Sequence, residues 1–299
     1  ECGGGHTPPA VVSAIQNANE SIIGDASAST LSFYWAAGQR LHSAFRASIV
    51  PCWQNCSKGG QYQMRECMDS RCFPVASQAD REAVAASGIG YRHAQLPLLM
   101  KAVYGSRQPR LVAILRNPVD RFHHAFWSHP HYRDRYGADA EGFLKYAKES
   151  VAEFEACEDV TSPARCALYF EAIGQRQEEV FFHCDQLIRG IYTVFIEYWL
   201  SFFGREALLV VKAEEYYREP IPVLKAVGQH IGLDTSENSP EARQLWERMS
   251  QEVGSARTHT LRGKPEMLPE AKQVLEIFYA AWNRRLAAAL HNRTFLWKD

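Results

Sequence analysis

Two short runs of aliphatic residues, some of them β-branched, constrain the fold of this chain most strongly. They are Leu111–Leu115 and Leu208–Val211, and Ser21–Gly24 is a weaker third run of the same kind. Continuous apolar runs of this length are typical of strands that are covered on both faces. Helical periodicity lies before, between and after them, in residues 94–104, 140–156, 185–203, 221–231, 240–253 and 269–290. Strands that alternate with helices predict an α/β fold, with a parallel sheet flanked by helices.

The length of the chain predicts one domain. It has 299 residues, of which 46% are hydrophobic, and this is enough to bury one sizeable core. Residues 50–90 interrupt the helical pattern, because they hold four cysteines and scattered glycines without a sustained period. We therefore expect a single domain over residues 1–299, with a cysteine-rich, cross-linked insertion at residues 50–90. The sequence starts at Glu1, without an initial Met or an apolar leader, so we expect a further segment upstream.

The charge balance excludes broad electrostatic recruitment. Lys and Arg total 33 against 34 for Asp and Glu, so no global positive field would attract nucleic acid or an anionic membrane surface. The longest apolar stretch, 190–204, is interrupted by Glu197 and is shorter than the roughly 20 residues that a membrane-spanning helix needs. It predicts a buried helix, and we expect membrane association only through an anchor outside this chain.

The cysteines and glycosylation triplets favour a lumenal or secreted protein. The eight cysteines form an even set, and Asn-x-Ser/Thr triplets begin at Asn19, Asn55 and Asn292. Two interpretations remain open for the cysteines of the insertion, which are disulfides or a four-thiolate zinc site. Their spacing lacks the paired Cys-x-x-Cys hairpins of common zinc ribbons, so disulfides are favoured. The cysteines are Cys2, Cys52, Cys56, Cys67, Cys72, Cys157, Cys166 and Cys184.

A motif directly after the first strand indicates an anion site. In open α/β sheets, ligands bind beyond the carboxyl ends of the strands, and here that position reads Arg-Asn-Pro-Val-Asp-Arg, from Arg116 to Arg121. Pro118 suits the first turn of a helix, which puts Arg116 and Asn117 in the strand-to-helix turn. An arginine beside a helix N-terminus is well placed to bind phosphate through paired hydrogen bonds. An ordinary ion pair or helix cap is the alternative.

This strand, motif and aromatic-rich helix resemble the sulfotransferase superfamily. The resemblance implies a P-loop-like parallel sheet flanked by helices, and the sulfate donor PAPS (3′-phosphoadenosine-5′-phosphosulfate), with no metal. In that superfamily an arginine at the position of Arg116 and a serine at the position of His124 hold the donor 3′-phosphate. His124 departs from the pattern, although a histidine can also donate a hydrogen bond to phosphate.

A closer resemblance is to the N-acetylgalactosamine 4-sulfate 6-O-sulfotransferases that act on chondroitin sulfate. Residues 22–30 resemble that family's Ile-Ile-Gly-Glu-Ala-Ser-Pro-Ser-Thr segment, and further similar segments are 154–166, 190–201, 278–286 and 295–298. The resemblance implies a Golgi carbohydrate sulfotransferase whose acceptor is a glycan hydroxyl. The candidate hydroxyl is at a 6-O position of a sulfated glycosaminoglycan. It also implies a disulfide between Cys157 and Cys166, whose eight intervening residues can form a closed loop.

The remaining candidate site residues follow from the same resemblance. Asp25 matches an acidic residue of the family segment, so it is the candidate catalytic base; its alternative role is to cap the turn through Ser27. Arg262 and Lys264 match a basic loop that closes on the donor in many relatives, and a solvated turn is the alternative. Residues 3–7 are glycine-rich but lack a lysine, so we expect the loop for the 5′-phosphosulfate upstream and little sulfate transfer by this chain alone.

Three other interpretations of the sequence are a metal site, a phosphotransferase and a non-catalytic glycan-binding protein. His123, His129 and His131 lie near the arginine motif, but without clear ligand spacing we favour packing and surface roles over a metal site. A nucleotide-dependent phosphotransferase would need a Gly-x-x-x-x-Gly-Lys-Ser/Thr loop, which this sequence lacks. A non-catalytic glycan-binding relative remains open because of His124 and the missing donor loop.

Overall fold

The structure is a computed structural model of the chain. It describes residues 31–32, 43–56, 66–86, 96–159, 162–169, 186–233, 235, 240, 243–244, 246–249 and 264–297. Several sequence predictions lie outside these described residues, namely the third strand candidate at 21–24, the glycine-rich start, Asp25, Arg262, Cys2 and Cys184.

Two parallel strands form the sheet in the described part of the chain. Strand β1 is Leu111–Leu115 and β2 is Leu208–Lys212, and they pair in register from Leu111 with Leu208 to Leu115 with Lys212. The predicted strands and their parallel pairing are confirmed. We expected both faces of each strand to be covered, and for β1 this expectation is wrong. Ile114 on one face is 60% exposed, whereas Leu115 on the other face is buried.

Helices precede, separate and follow the two strands in the chain. Before β1 lie α1 (Ser43–Cys56), a π-helical turn (Met68–Cys72), α2 (Phe73–Ala86) and α3 (Leu96–Tyr104). Between the strands lie α4 (Pro118–Ser128), α5 (Pro130–Tyr136), α6 (Ala140–Glu158), α7 (Pro163–Tyr169), α8 (Tyr192–Phe203) and a 3-10 turn (Arg205–Ala207). After β2 lie α9 (Ala213–Arg218), α10 (Pro220–Ile231), α11 (Pro269–Leu290) and a 3-10 turn (Arg293–Leu296). The α/β class is therefore confirmed.

The helix predicted over residues 185–203 is interrupted. A helical turn at 186–188 ends in a turn at 189–190, and α8 begins only at Tyr192. The Tyr279 hydroxyl, from α11, donates to the Leu187 carbonyl oxygen at 2.8 Å. A Cβ added to Gly190 would lie 2.5 Å from that hydroxyl oxygen. The break therefore depends on a tertiary contact with α11, which local periodicity does not reveal.

The described residues of the predicted insertion, 50–56 and 66–86, are helical, contrary to the absence of pattern in its sequence. Helices α1 and α2 pack against each other, and disulfides join Cys52 to Cys72 and Cys56 to Cys67. Two disulfides hold this helix pair together, so the helices do not need a continuous apolar stripe. Such a stripe is the signal from which a helix is predicted in sequence. The preference for disulfides over zinc is confirmed.

The third disulfide joins the last turn of α6 to α7. It links Cys157 and Cys166, the pair that the family resemblance implied, and both side chains are fully buried. Within the described residues, no helix combines the length and the apolar character that a membrane span requires.

The core beside the sheet is rich in aromatic side chains. Phe122 of α4 stacks on Tyr146 of α6, with ring centroids 4.8 Å apart. Phe126 and Phe143 join the same cluster, and all four side chains are fully buried. Aromatic pairs of this kind add stabilisation beyond the area they bury. Helix α4, which begins directly after β1, is thereby held rigidly against α6.

Candidate functional site

The carboxyl ends of the two strands lie side by side and bring two turns together. Leu115 pairs with Lys212, so Arg116 and Asn117 after β1 lie near Glu214, which comes two residues after β2. Pro118 is the first residue of α4, and the Asn117 side chain caps that helix by accepting from the Val119 backbone N–H at 3.0 Å. The strand-to-helix turn thus has the form that the sequence predicted.

The peptide group between Arg116 and Asn117 is held at both ends. Its carbonyl oxygen accepts from the Tyr192 hydroxyl at 2.8 Å, and its N–H donates to Glu214 Oε1 at 2.6 Å. Burial raises the pKa of Tyr192 to about 12, so its hydroxyl keeps its proton and can donate. The other carboxylate oxygen of Glu214 accepts from Trp297 Nε1 at 3.3 Å. Side chains from three separate parts of the chain therefore support this turn.

His123 is a packing residue of α4. It is buried, and its Nε2 accepts a hydrogen bond from Trp127 Nε1 at 2.9 Å. Its ring centroid lies 4.6 Å from that of Phe143. Burial lowers the pKa of His123 to about 4, and the positive charges of Lys264 and Arg116 act in the same direction. A neutral ring is thus required, which agrees with the packing role expected for this histidine.

His124 has an unused ring nitrogen next to two cations. Its Nδ1 is buried and has no hydrogen-bond partner among the described residues. Burial lowers the pKa of His124, and the charges of Arg116 and Lys264 lower it further. The fold therefore brings these three candidate residues into electrostatic contact, although Lys264 is far away in sequence. A buried polar atom without a partner is uncommon and is a natural contact for a ligand.

More positive charge lies around these residues. Burial lowers the pKa of Lys264, and the nearby Arg133 lowers it further. Arg121 also acts on His124, and its guanidinium is held in place by the Gln186 side chain and backbone carbonyl. Among the described residues, no carboxylate forms an ion pair with Arg116 or Lys264. The arrangement suits a multiply charged anion such as a phosphate ester.

Three residues of the site were not singled out from the sequence: Glu214, Tyr192 and Trp297. Glu214 follows β2 as Arg116 follows β1, so the strand-end rule could have found it. Tyr192 looks like one more apolar residue of a buried helix. Trp297 lies in the C-terminal segment that resembles the family, but nothing in its sequence indicates a contact with Glu214.

The other candidates are placed as follows. Asp25 and Arg262 lie outside the described residues, so the structure does not relate them to Arg116. His129 and His131 are exposed on and before α5. In the part of the chain that the structure describes, one group has metal-ligand proximity, namely Cys52, Cys56 and Cys72, and all three are bound in disulfides.

Several known proteins are similar to this chain in sequence. Carbohydrate sulfotransferase 15 from Homo sapiens is 25% identical over 204 residues, which is 68% of this chain and 34% of that protein. The Mus musculus protein of the same name is 24% identical over the same shares. No protein-family model matches the sequence. A solved structure, a sulfotransferase from Alicyclobacillus acidocaldarius, shares 21% identity and covers 66% of this chain and 59% of its own, with a TM-score of 0.38.

The chain is similar in sequence to proteins named as sulfotransferases. Within that class, the curated proteins that it matches are named carbohydrate sulfotransferase 15, which supports the family resemblance seen in the sequence. The chain spans about a third of the length of these relatives.

Proposed function

We propose that this chain is part of a carbohydrate sulfotransferase that transfers a sulfuryl group from PAPS to a glycan hydroxyl. The observation that carries the proposal is the convergence of Arg116, His124 and Lys264 beyond the carboxyl end of β1. This cationic group, with a buried and unused ring nitrogen, supports the binding of a phosphate ester. Its position in the fold is where an α/β sheet binds its ligand.

Arg116 and His124 are the proposed ligands of the donor 3′-phosphate. The guanidinium supplies charge and paired donors, and the histidine, which is neutral in the empty site, supplies one hydrogen bond. Lys264 acts electrostatically on His124, as Arg116 does, and with Arg262 it is proposed to bind the donor's phosphate groups. These residues would neutralise charge on the leaving nucleotide, which is usually a large catalytic contribution.

The reaction forms one bond and breaks one. The acceptor hydroxyl oxygen attacks the sulfur, the bond from sulfur to the 5′-phosphate oxygen breaks, and 3′-phosphoadenosine-5′-phosphate leaves with the electron pair. The hydroxyl proton passes to a base, for which Asp25 remains our candidate. As in phosphoryl transfer, the protein must mainly hold donor and acceptor in line.

The proposed compartment rests on the disulfides, and the proposed acceptor class rests on the similarity to carbohydrate sulfotransferase 15. Three disulfides are typical of an oxidising compartment, which supports a Golgi-lumen or secreted location. We propose a glycan acceptor, a 6-O position of a sulfated glycosaminoglycan, and a membrane anchor outside this chain. Nucleic acid is not an expected partner.

The test compares two nucleotides by isothermal titration. We expect the chain to bind 3′-phosphoadenosine-5′-phosphate (PAP) more tightly than 5′-AMP, which lacks the 3′-phosphate. Arg116→Ala should weaken PAP binding by about 1.5–3 kcal/mol and leave AMP binding almost unchanged, because a charge-assisted bond matters only where its partner exists. Equal losses for both nucleotides would contradict the assignment of Arg116 to the 3′-phosphate.

Activity is tested separately. The chain and a version extended upstream would be incubated with radiolabelled PAPS and a panel of desulfated and partly sulfated glycosaminoglycans. We expect transfer chiefly with the extended version. Glycan binding without nucleotide binding in both versions would instead favour a non-catalytic glycan-binding relative.

A further inference from the structure

We propose that Glu214 and Tyr192 are positioning residues for Arg116, which they direct by clamping a single peptide group. The inference rests on the proposed binding of a phosphate ester by Arg116. Neither residue is proposed to touch the donor. Their role is to fix the backbone from which the Arg116 side chain leaves.

The clamp consists of two hydrogen bonds to the same peptide plane. Tyr192, from the first turn of α8, donates to the Arg116 carbonyl oxygen at 2.8 Å. Glu214, from α9, accepts from the Asn117 N–H at 2.6 Å. The carbonyl and the N–H point in opposite directions, so the two bonds together oppose rotation of this peptide about its neighbouring single bonds. Without this restraint the turn between β1 and α4 could shift, and with it the Cα atom from which the Arg116 side chain leaves.

Trp297 supports both arms of the clamp. Its Nε1 donates to Glu214 Oε2 at 3.3 Å, and its ring centroid lies 6.0 Å from that of Tyr192. Its own backbone has a φ of 45°, in the left-handed region, where non-glycine residues are uncommon. The segment after α11 is therefore held in an unfavourable conformation at the point where it contacts the clamp.

The choice of a carboxylate has an electrostatic consequence that makes the inference testable. If Glu214 acted only through its charge, its removal would strengthen the binding of an anion nearby. If it acts by holding the Asn117 N–H, its removal should weaken 3′-phosphate binding, because Arg116 would lose its fixed direction. The two roles predict opposite signs for Glu214→Ala.

The experiment measures the 3′-phosphate preference, defined as the dissociation constant for AMP divided by that for PAP. Glu214→Ala should lower this preference by about tenfold, the equivalent of one lost hydrogen bond of about 1.4 kcal/mol. Glu214→Gln should keep most of it, because the amide oxygen can still accept from the Asn117 N–H. Tyr192→Phe should lower the preference in the same direction as Glu214→Ala.

Tyr279→Phe is the matched control. Tyr279 also donates its hydroxyl to a backbone carbonyl oxygen at 2.8 Å, that of Leu187, but outside this turn. We expect this variant to lose stability while its 3′-phosphate preference stays that of the wild type. Thermal unfolding of each variant checks that it is folded. In an Arg116→Ala background, Glu214→Ala should have no further effect on the preference.

The outcomes separate the two proposals. A wild-type protein with no 3′-phosphate preference would overturn the donor-phosphate assignment, and the clamp with it. A preference that is lost in Arg116→Ala but retained in both Glu214→Ala and Tyr192→Phe would overturn the clamp alone. Tighter PAP binding by Glu214→Ala would also overturn it, because that result indicates a purely electrostatic effect.

Discussion

His123 should make this fold sensitive to mild acid. The residue is 7% exposed, and its Nε2 accepts from Trp127, so protonation would both charge a buried ring and break that hydrogen bond. Its pKa is lowered from 6.5 to about 4, first by burial and then by the charges of Lys264 and Arg116. The unfolded chain therefore binds a proton at a higher pH than the folded protein does.

The sign and the size of the effect follow from this difference. Well above pH 6.5 both states leave His123 neutral, and its contribution to stability is fully present. As the pH falls below 6.5 the unfolded state takes up the proton first, so the free energy of unfolding decreases until about pH 4. Between pH 7 and pH 5 the loss amounts to about 2 kcal/mol, since each pKa unit corresponds to 1.36 kcal/mol.

Urea titrations of the wild type and of His123→Gln at pH 7 and pH 5 measure this loss. Glutamine offers an oxygen that can accept from Trp127 but takes up no proton. We expect the wild type to lose about 2 kcal/mol more than the variant between the two pH values. His124→Gln serves as a control, because burial also lowers the pKa of His124 and contributes in the same direction.

Parallel loss of stability by the wild type and by His123→Gln would refute the reasoning. It would mean that His123 titrates equally in the folded and unfolded states, and so that the ring is not buried as a neutral group. If only His124→Gln lost less stability than the wild type between pH 7 and pH 5, the acid sensitivity would belong to His124 in the anion site.

The remaining predictions concern the site, the core and the crosslinks. Binding of PAP should be accompanied by proton uptake at His124, because the negative phosphate offsets the positive charges that lower the pKa of His124. Titration calorimetry at pH 6.5 in two buffers should show more proton uptake by the wild type than by His124→Gln. Gly190→Ala should destabilise the fold by about 1–3 kcal/mol in urea unfolding, because its Cβ would collide with the Tyr279 hydroxyl. Cys157→Ser with Cys166→Ser should cost about 2–4 kcal/mol, and non-reduced peptide mapping of the wild type should recover both cysteines in one linked peptide.

Local patterns were sufficient to predict much of the fold. Both strands occur where continuous apolar runs predicted them, since the signal lies within five residues. Helix α11 has the predicted bounds, because Pro269 begins it and its apolar period is unbroken. The break before α8 was not predicted, because it is made by a hydroxyl from α11. The helices of the insertion were also missed, because crosslinks there replace an apolar stripe.

The site was predicted in part for the same reason. Arg116 could be proposed from sequence because the strand-end position is readable there, and its role in binding stays a prediction. The proximity of Lys264 to it was expected only from the family resemblance, since no local signal connects the two. Glu214 was missed although the strand-end rule points to it, whereas Tyr192 could not have been paired with Arg116, because its contact depends on how α8 lies beside β1.

The net charge of −1 and the cationic site are compatible because the site concentrates its charge locally. Arg116 and Lys264 lie close enough to depress the pKa of His124, yet burial keeps that histidine neutral, so it adds a donor without adding to the repulsion. A third fixed positive charge at that position would destabilise the empty site. A neutral ring that becomes protonated only when a phosphate arrives avoids this cost. The departure from serine to histidine at position 124 is therefore consistent with an anion site, and it makes binding depend on pH where a serine would not.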